Sequence, residues 1–393
     1  MNEHNAQVVI DQDKTTRLSI CMTVIGELTH DQRVFREAHC LQQAGHQVHI
    51  IGGTSNPNKI PEDWGDITIE YLQLRAARGK KMYAEHALKL LHRLATLDMD
   101  VIHCHDLDTL LAGAIMAKLR GKKLIYDSHE LFPEQGSLAN RPRERKIWGM
   151  LERLLIHLPD WIITVNDSLA EIMAERYHVE PPTPIRNIPD GQVRERTNRL
   201  RQKTGLSPAH KIVLYQGQMM PGRGLFTLIE SILKLPDEYV LVLLGKGGLM
   251  PELRRRAALH PPKIRVLDAV PFAELLSYTA SADIGICLIE NISTSYYYAL
   301  PNKFFEYMMA GLPVIASNFP EFERIFKIFP FGVTVDPSDA DAVAQAIRAI
   351  GENPAWQQEL QTIARSATTV YNWQMEQKKL LDIYNRLYYT SQK

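Results

Sequence analysis

"DVIHCHDLDTLLAGAIMAKLRGKKLIYDSHE", residues 100 to 130, decides the fold class. "DVIHCH" and "KKLIYDSHE" each read as a short buried strand with a polar loop at its carboxyl end, and the segment between them fits a helix. A strand, a helix and a second strand within about thirty residues form the crossover unit of a parallel sheet. The same alternation runs outward in both directions. Leu18 to Ile25 is the first strand, a helix follows with Val34, Ala38, Leu41 and Gly45 at helical spacing, and "GHQVHIIG" turns into the next strand. "DWIITVND" closes the series before Pro and Gly cluster in "PPTPIRNIPDGQ", residues 181 to 192, where the pattern resets. Beyond it "KIVLYQG", "YVLVLLGKGG", "KIRVLDAV", "DIGICLIE" and "PVIAS" repeat the scheme.

The expectation is therefore an α/β chain with two doubly wound parallel sheets, a length of 393 residues being long for one core. The boundaries follow the resets: residues 1–188, residues 189–370, and a final helix from 371 to 393 that returns to the first domain. "NWQMEQKKLLDIYNRLYY" in that helix places Leu380, Leu381, Tyr384, Leu387 and Tyr388 on one apolar stripe.

Lys plus Arg equals Asp plus Glu, 45 each, so no global charge favours nucleic acid as a partner. Met1 to Arg17 is polar, without the apolar core of a secretory signal, and no run is long enough to span a bilayer, which points to the cytoplasm. Cys21, Cys40, Cys104 and Cys287 lie in apolar segments without CxxC spacing and read as small core residues of a reduced protein.

Open parallel sheets bind ligands outside the carboxyl ends of their strands, and the candidate residues collect there. In "YQGQMMPGRG" a strand ends in Gly217, a loop follows, and Gly222, Arg223 and Gly224 precede a helix whose first amides suit an anion. "LLGKGG" adds Gly245 and Lys246. "LPNKFFEYMMAG", residues 300 to 311, opens a helix with Asn302 and Lys303 and carries one carboxylate, Glu306, on an otherwise apolar face. That carboxylate is either solvated or a ligand for a ribose diol. His129 and Glu130 stand just past a strand, where a histidine donates to a sugar hydroxyl or caps a loop. His103 and His105 point the same way from their strand, but no third and fourth ligand stands at sensible spacing, so no metal is expected. Arg33 and Arg36 either reach the ligand or are exposed.

Taken together, "HDQRVFREAHCLQQAGHQV", the stretch from residue 100 to "FPE", "YQGQMMPGRGL", "LPNKFFEYMMAGLPVIAS" and "YNWQMEQKKLLDIYNRL" resemble glycosyltransferase family four, the retaining, nucleotide-sugar-dependent enzymes of the GT-B fold. The resemblance spans about Leu18 to Leu387. It implies two Rossmann-like domains facing across a cleft, an acceptor held by the first, a UDP- or GDP-linked sugar held by the second, and neither metal nor cofactor. Glu306 falls at the second glutamate of the family's Glu, seven residues, Glu motif, the ribose ligand. Arg223 falls at the diphosphate-binding lysine, His129 at the histidine that approaches the donor sugar, and Ala269 with Val270 where backbone meets the base. Tyr298 replaces the motif's first glutamate and Gln218 the usual diphosphate arginine.

The function implied is sugar transfer from a nucleoside-diphosphate sugar to a hydroxyl acceptor in glycan or glycolipid synthesis, with His129, Arg223 and Glu306 in the catalytic set. Two other readings stay open: a nucleotide-sugar epimerase on the same fold, and a non-catalytic nucleotide-binding homologue, suggested by Tyr298 and Gln218. Basic stretches at Arg75, Arg78, Lys80, Lys81, Lys89 and Arg93, and at Arg141, Arg143, Arg145 and Lys146, are either solvated faces or a peripheral contact with acidic membrane at its inner face.

Overall fold

The structure is a computed structural model that describes residues 17–57, 64–189 and 195–391. The first sheet contains β1 (Ser19–Ile25), β2 (Gln47–Thr54), β3 (Thr68–Gln73), β4 (Val101–His105), β5 (Lys123–Ser128), β6 (Trp161–Thr164) and β7 (Thr183–Pro184), in the order β3-β2-β1-β4-β5-β6-β7. The second contains β8 (Lys211–Gln218), β9 (Tyr239–Lys246), β10 (Ile264–Asp268), β11 (Ile284–Cys287), β12 (Val314–Ser317) and β13 (Gly332–Val335), in the order β10-β9-β8-β11-β12-β13. Neighbouring strands run parallel. Each sheet starts in its middle, winds one way for two crossovers and then reverses, so a crevice opens between β1 and β4 and another between β8 and β11. These are two doubly wound parallel-sheet α/β domains, as the sequence led us to expect. Within "PPTPIRNIPDGQ" the chain makes β7; Asp190 to Arg194 lie outside the described residues, as do residues 1–16.

Internal contacts group the chain into two compact units. One comprises Met1–Asp127, Leu155–Ile162 and Leu380–Lys393, the other Ser128–Leu154 and Ile163–Lys379. β9 is buried from Tyr239 to Gly245, because helices cover both faces of a parallel sheet. β3 and β13 were not read from the sequence. Both are edge strands, half exposed, so neither shows the continuous apolar run of a central strand. Among the described residues no helix is long and apolar enough to cross a membrane.

In the first unit, Arg33 and Arg36 are neither exposed nor at a surface: only 3% and 8% of their area is accessible. Arg33 donates two hydrogen bonds to Asp127, at 2.7 and 2.6 Å, and its Nε stands 3.2 Å from Glu37. The His103 and His105 rings stack with centroids 4.5 Å apart; His105 Nδ1 is 3.1 Å from Asp127, and His103 Nδ1 is 2.9 Å from the Tyr384 hydroxyl. Glu37, His103, His105 and Asp127 bring possible metal-binding atoms within 4.8 Å of one another, more ligands than the sequence suggested. The Arg33 guanidinium sits on both Asp127 oxygens, supplying there the positive charge an ion would bring.

The final helix, Trp373–Ser391, carries a stripe different from the expected one: Leu380, Ile383, Tyr384 and Leu387 are buried, whereas Leu381 and Tyr388 are half-buried. The observed set follows the i, i+3, i+4, i+7 spacing of one helix face. A turn of about 100° per residue puts Leu381 off that face.

His86, on the helix Lys80–Thr96, is fully buried and has no hydrogen-bond partner on either ring nitrogen among the described residues. Burial pushes its pKa down to about 4. The folded protein therefore keeps the ring neutral while the unfolded chain protonates it below about 6.5, so stability falls as pH drops from 6.5 towards 4. His86→Leu is expected to remove this acid sensitivity, worth about 3 kcal/mol by pH 4, and to add about 1 kcal/mol at pH 7 by removing an unsatisfied buried polar group. Urea midpoints at pH 7 and pH 4.5 check it; an equal midpoint shift at both would contradict the titration.

Candidate functional site

The sequence candidates from His129 to Glu306 all lie in the second unit. Its sheet reverses between β8 and β11, and the carboxyl end of β8 is built for close backbone approach. A Cβ on Gly245 would collide with the Gly217 carbonyl oxygen, so the ends of β8 and β9 lie backbone to backbone with no side chain between them. Gly224, at φ +62°, starts the helix Leu225–Leu233, and a Cβ there would lie 2.6 Å from Leu288 Cβ. Only glycine turns the chain there and leaves Arg223 at the mouth of the crevice.

A cavity of about 400 Å³ opens at this edge. The structure brings ten of the sequence candidates to its wall: Gly217, Gln218, Arg223, Gly245, Lys246, Ala269, Val270, Asn302, Lys303 and Glu306. Tyr298 and His129 are not among its lining residues. The Tyr298 carbonyl accepts a 2.8 Å bond from the Asn166 amide, and its ring meets Tyr297 edge to face. His129 follows β5 and is half-buried; the neighbouring Glu130 accepts a 2.9 Å bond from the Ser295 hydroxyl.

Lys303 and Glu306 share the helix Asn302–Met309, which begins after Pro301 and packs Phe304, Phe305, Tyr307, Met308 and Met309 into the core. The turn that buries these residues pulls Lys303 under the surface too, to 7% exposure. Its Nζ lies 3.6 Å from the Tyr215 ring centroid and has no hydrogen-bond partner among the described residues. Burial, helped by the neighbouring Arg223 charge, pushes its pKa down to about 7. The Arg223 guanidinium stands 4.8 Å over the Tyr296 ring, and its buried Nε likewise lacks a hydrogen-bond partner among the described residues. Two cationic side chains thus enter one cavity with donor capacity unspent, which suits a multiply charged anion.

Glu306 is not solvated, since only 7% of it is exposed. One of its oxygens accepts the Gln216 side-chain amide at 2.5 Å, and the Gln216 carbonyl oxygen accepts the Thr279 hydroxyl at 2.8 Å. This relay fixes the carboxylate plane, and a carboxylate has about four acceptor positions with which to meet several donors at once. Gln216 and Thr279 were not read as functional. The available signal was Gln216 itself, an amide within the buried run "KIVLYQG".

Residues 32–194 match the family described as Glycosyltransferase Family 4, and residues 210–353 match Glycosyl transferases group 1. The chain is 24% identical over 365 residues to a phosphatidyl-myo-inositol mannosyltransferase of Mycobacterium leprae, covering 89% of this chain and 91% of that one. Among solved structures, sucrose-phosphate synthase from Thermosynechococcus elongatus superposes with a TM-score of 0.77 at 20% identity, over 94% of this chain and 99% of that one. Anabaena HepE, solved with UDP and glucose, gives 0.71 at 12% identity over 94% and 100%.

Proposed function

We propose, from the premise that this chain belongs to glycosyltransferase family 4, that it moves a sugar from a nucleoside diphosphate to a hydroxyl acceptor with retention at the anomeric carbon. The observation that carries the donor class is the Lys303 ammonium, buried without a hydrogen-bond partner among the described residues, in the cavity that also holds Arg223 and Glu306. A diphosphate supplies the missing acceptors and a ribose diol suits Glu306. Ala269, Val270 and Leu275 offer a wall for the base.

In this reading the bond from the anomeric carbon to the β-phosphate oxygen breaks and the bond to the acceptor oxygen forms on the same face. The acceptor proton passes to the departing phosphate, so no carboxylate nucleophile and no metal is required. Arg223 and Lys303 hold the charge that grows on the diphosphate, each such donor being worth about 3 kcal/mol of barrier. The mannosyltransferase relative acts on phosphatidyl-myo-inositol, which favours a lipid or glycan acceptor here. Tyr298, at the position of a family carboxylate, and the uncharged Gln218 favour the alternative of a nucleotide-binding homologue without turnover.

Thermal unfolding against UDP, GDP, ADP and CMP tests the donor site. A saturating diphosphate at a hundred times its dissociation constant is expected to add about 2.7 kcal/mol, and Glu306→Ala to remove most of it. The sugar conjugate of the stabilising diphosphate, offered with candidate acceptors, then separates transfer from bare binding. Indifference of the midpoint to all four nucleotides would overturn the reading.

A further inference from the structure

The helix Pro142–Leu155 turns apolar residues outward. Ile147, Met150 and Leu154 are 55%, 57% and 71% exposed and follow one another at i, i+3 and i+7, a continuous stripe on the solvent side. The opposite side packs inward in the ordinary way, with Leu155 buried, Trp148 edge to face on Phe132, and Glu152 fully inside, where it accepts the Tyr177 hydroxyl at 2.5 Å. The helix is thus apolar on two sides, whereas a helix with one face on a core carries polar and charged residues on the other.

Beside the stripe, and sharing Met150 with it, a cavity of about 530 Å³ is lined by Arg145, Lys146, Arg153, Arg176, Glu134 and Tyr177. Four cations face one carboxylate. Glu134 pairs with Arg145 and, at 3.4 Å, with Arg176. Among the described residues Lys146 makes no ion pair, and Arg153 lies 5.8 Å from the Tyr177 ring centroid without a carboxylate partner. The cavity therefore keeps a net positive charge in a chain whose total is zero. Arg141 and Arg143 are exposed at the start of the same segment.

Charge alone would suit any polyanion. The apolar stripe decides among them, because a nucleic acid or an acidic peptide leaves Ile147, Met150 and Leu154 in water, whereas the boundary between lipid headgroups and acyl chains takes both features at once. We propose that the helix Pro142–Leu155 and the cavity beside it dock the protein on an anionic lipid surface, with Ile147, Met150 and Leu154 entering the acyl boundary and Lys146, Arg153, Arg145 and Arg176 receiving a lipid phosphate. Resting on the transfer reading, the acceptor is then a lipid carrying a phosphate in its headgroup.

Flotation of the full chain with phosphatidylcholine vesicles, with and without 30 mol% phosphatidylglycerol as the probe, tests the surface. Binding is expected only with the anionic lipid at low salt and is expected to fall steeply at 0.5 M salt. Lys146→Ala with Arg153→Ala is expected to weaken it about thirtyfold, on the order of 1 kcal/mol per surface cation. Ile147→Asp with Leu154→Asp, both outside the cavity lining, is expected to abolish it. Both pairs lie outside the donor cavity, so stabilisation by the nucleoside diphosphate is retained, which shows that the variants fold. Competition by glycerol 1-phosphate at millimolar concentration, without loss on Leu154→Asp, would identify a free phosphate ligand and overturn the membrane assignment. So would failure to float with anionic vesicles, or binding untouched by both pairs. Vesicle binding needs no turnover, so it can fail while the transfer reading stands, and the reverse.

Discussion

Lys303→Met is expected to make the free protein more stable and to remove most of its affinity for a nucleoside diphosphate. The two effects have one origin. In the free protein the ammonium is buried without a hydrogen-bond partner among the described residues, and its pKa stands near 7 where an unfolded lysine titrates near 10.5. Below pH 7 both states carry the proton, and the folded state bears the full desolvation cost. Between 7 and 10.5 the folded state releases the proton while the unfolded chain keeps it, so the cost shrinks as pH rises. The desolvation part of the advantage of Lys303→Met is therefore about 4 kcal/mol at pH 7 and vanishes towards pH 10.5. The attraction of the Lys303 ammonium to the Tyr215 ring, roughly 2 kcal/mol for a desolvated pair, offsets about half of that.

A bound diphosphate reverses the balance by giving the ammonium acceptors. Binding near pH 8 is then expected to take up about 0.9 of a proton, and affinity to fall about tenfold per unit of pH above 7 until the liganded pKa is reached. Titration calorimetry in two buffers of different ionisation enthalpy reads the proton directly. A variant that neither gains stability at pH 7 nor loses the pH slope of affinity would show that Lys303 is not the anion's partner.

How far the sequence carries towards this site can be traced through a few residues. The crossover units were legible because central strands of a parallel sheet are covered on both faces and read as unbroken apolar runs. That same rule hid β3 and β13, which lie at sheet edges and are half exposed. Arg223, Lys303 and Glu306 were legible as residue types that suit a nucleotide, each at the end of a strand or the start of a helix. Their convergence in one cavity came from the family resemblance rather than from the residues themselves, since nothing local sets the distance between β8 and the helix Asn302–Met309. The burial of Lys303 was equally invisible: the register of Phe304 and Phe305 against the core, rather than any property of lysine, draws it inside. In the final helix the choice between Leu381 and Ile383 depends on a rotation that an apolar-rich segment leaves open in sequence. Gln216 was passed over because a single amide in a buried strand reads as an exception, when its side chain holds Glu306 in place.

The largest destabilisation is expected from Arg33→Met. Asp127 and Glu37 are both fully buried, and the guanidinium touches each of them, so its removal leaves two carboxylates facing one another away from water. Breaking a buried pair on one side typically costs about 3–5 kcal/mol, and here a second carboxylate adds repulsion. The Tyr384 hydroxyl, whose pKa burial and these carboxylates hold well above the ordinary range, touches His103 in the same cluster, so the loss should loosen the end of the C-terminal helix as well. Replacing the pair together, Arg33→Met with Asp127→Leu, removes the charges that need each other and is expected to recover at least about 2 kcal/mol relative to Arg33→Met alone. Urea unfolding of the four proteins of this cycle gives the coupling, and hydrogen exchange along Leu380–Leu387 reports whether the helix end loosens with it. Because Arg33 lies in the first compact unit and the cavity proposed for the diphosphate in the second, stabilisation by nucleoside diphosphate should survive in whatever fraction remains folded. Additive losses in the cycle would mean that Arg33 and Asp127 are satisfied independently, and that the cluster is held by its imidazoles rather than by its ion pair.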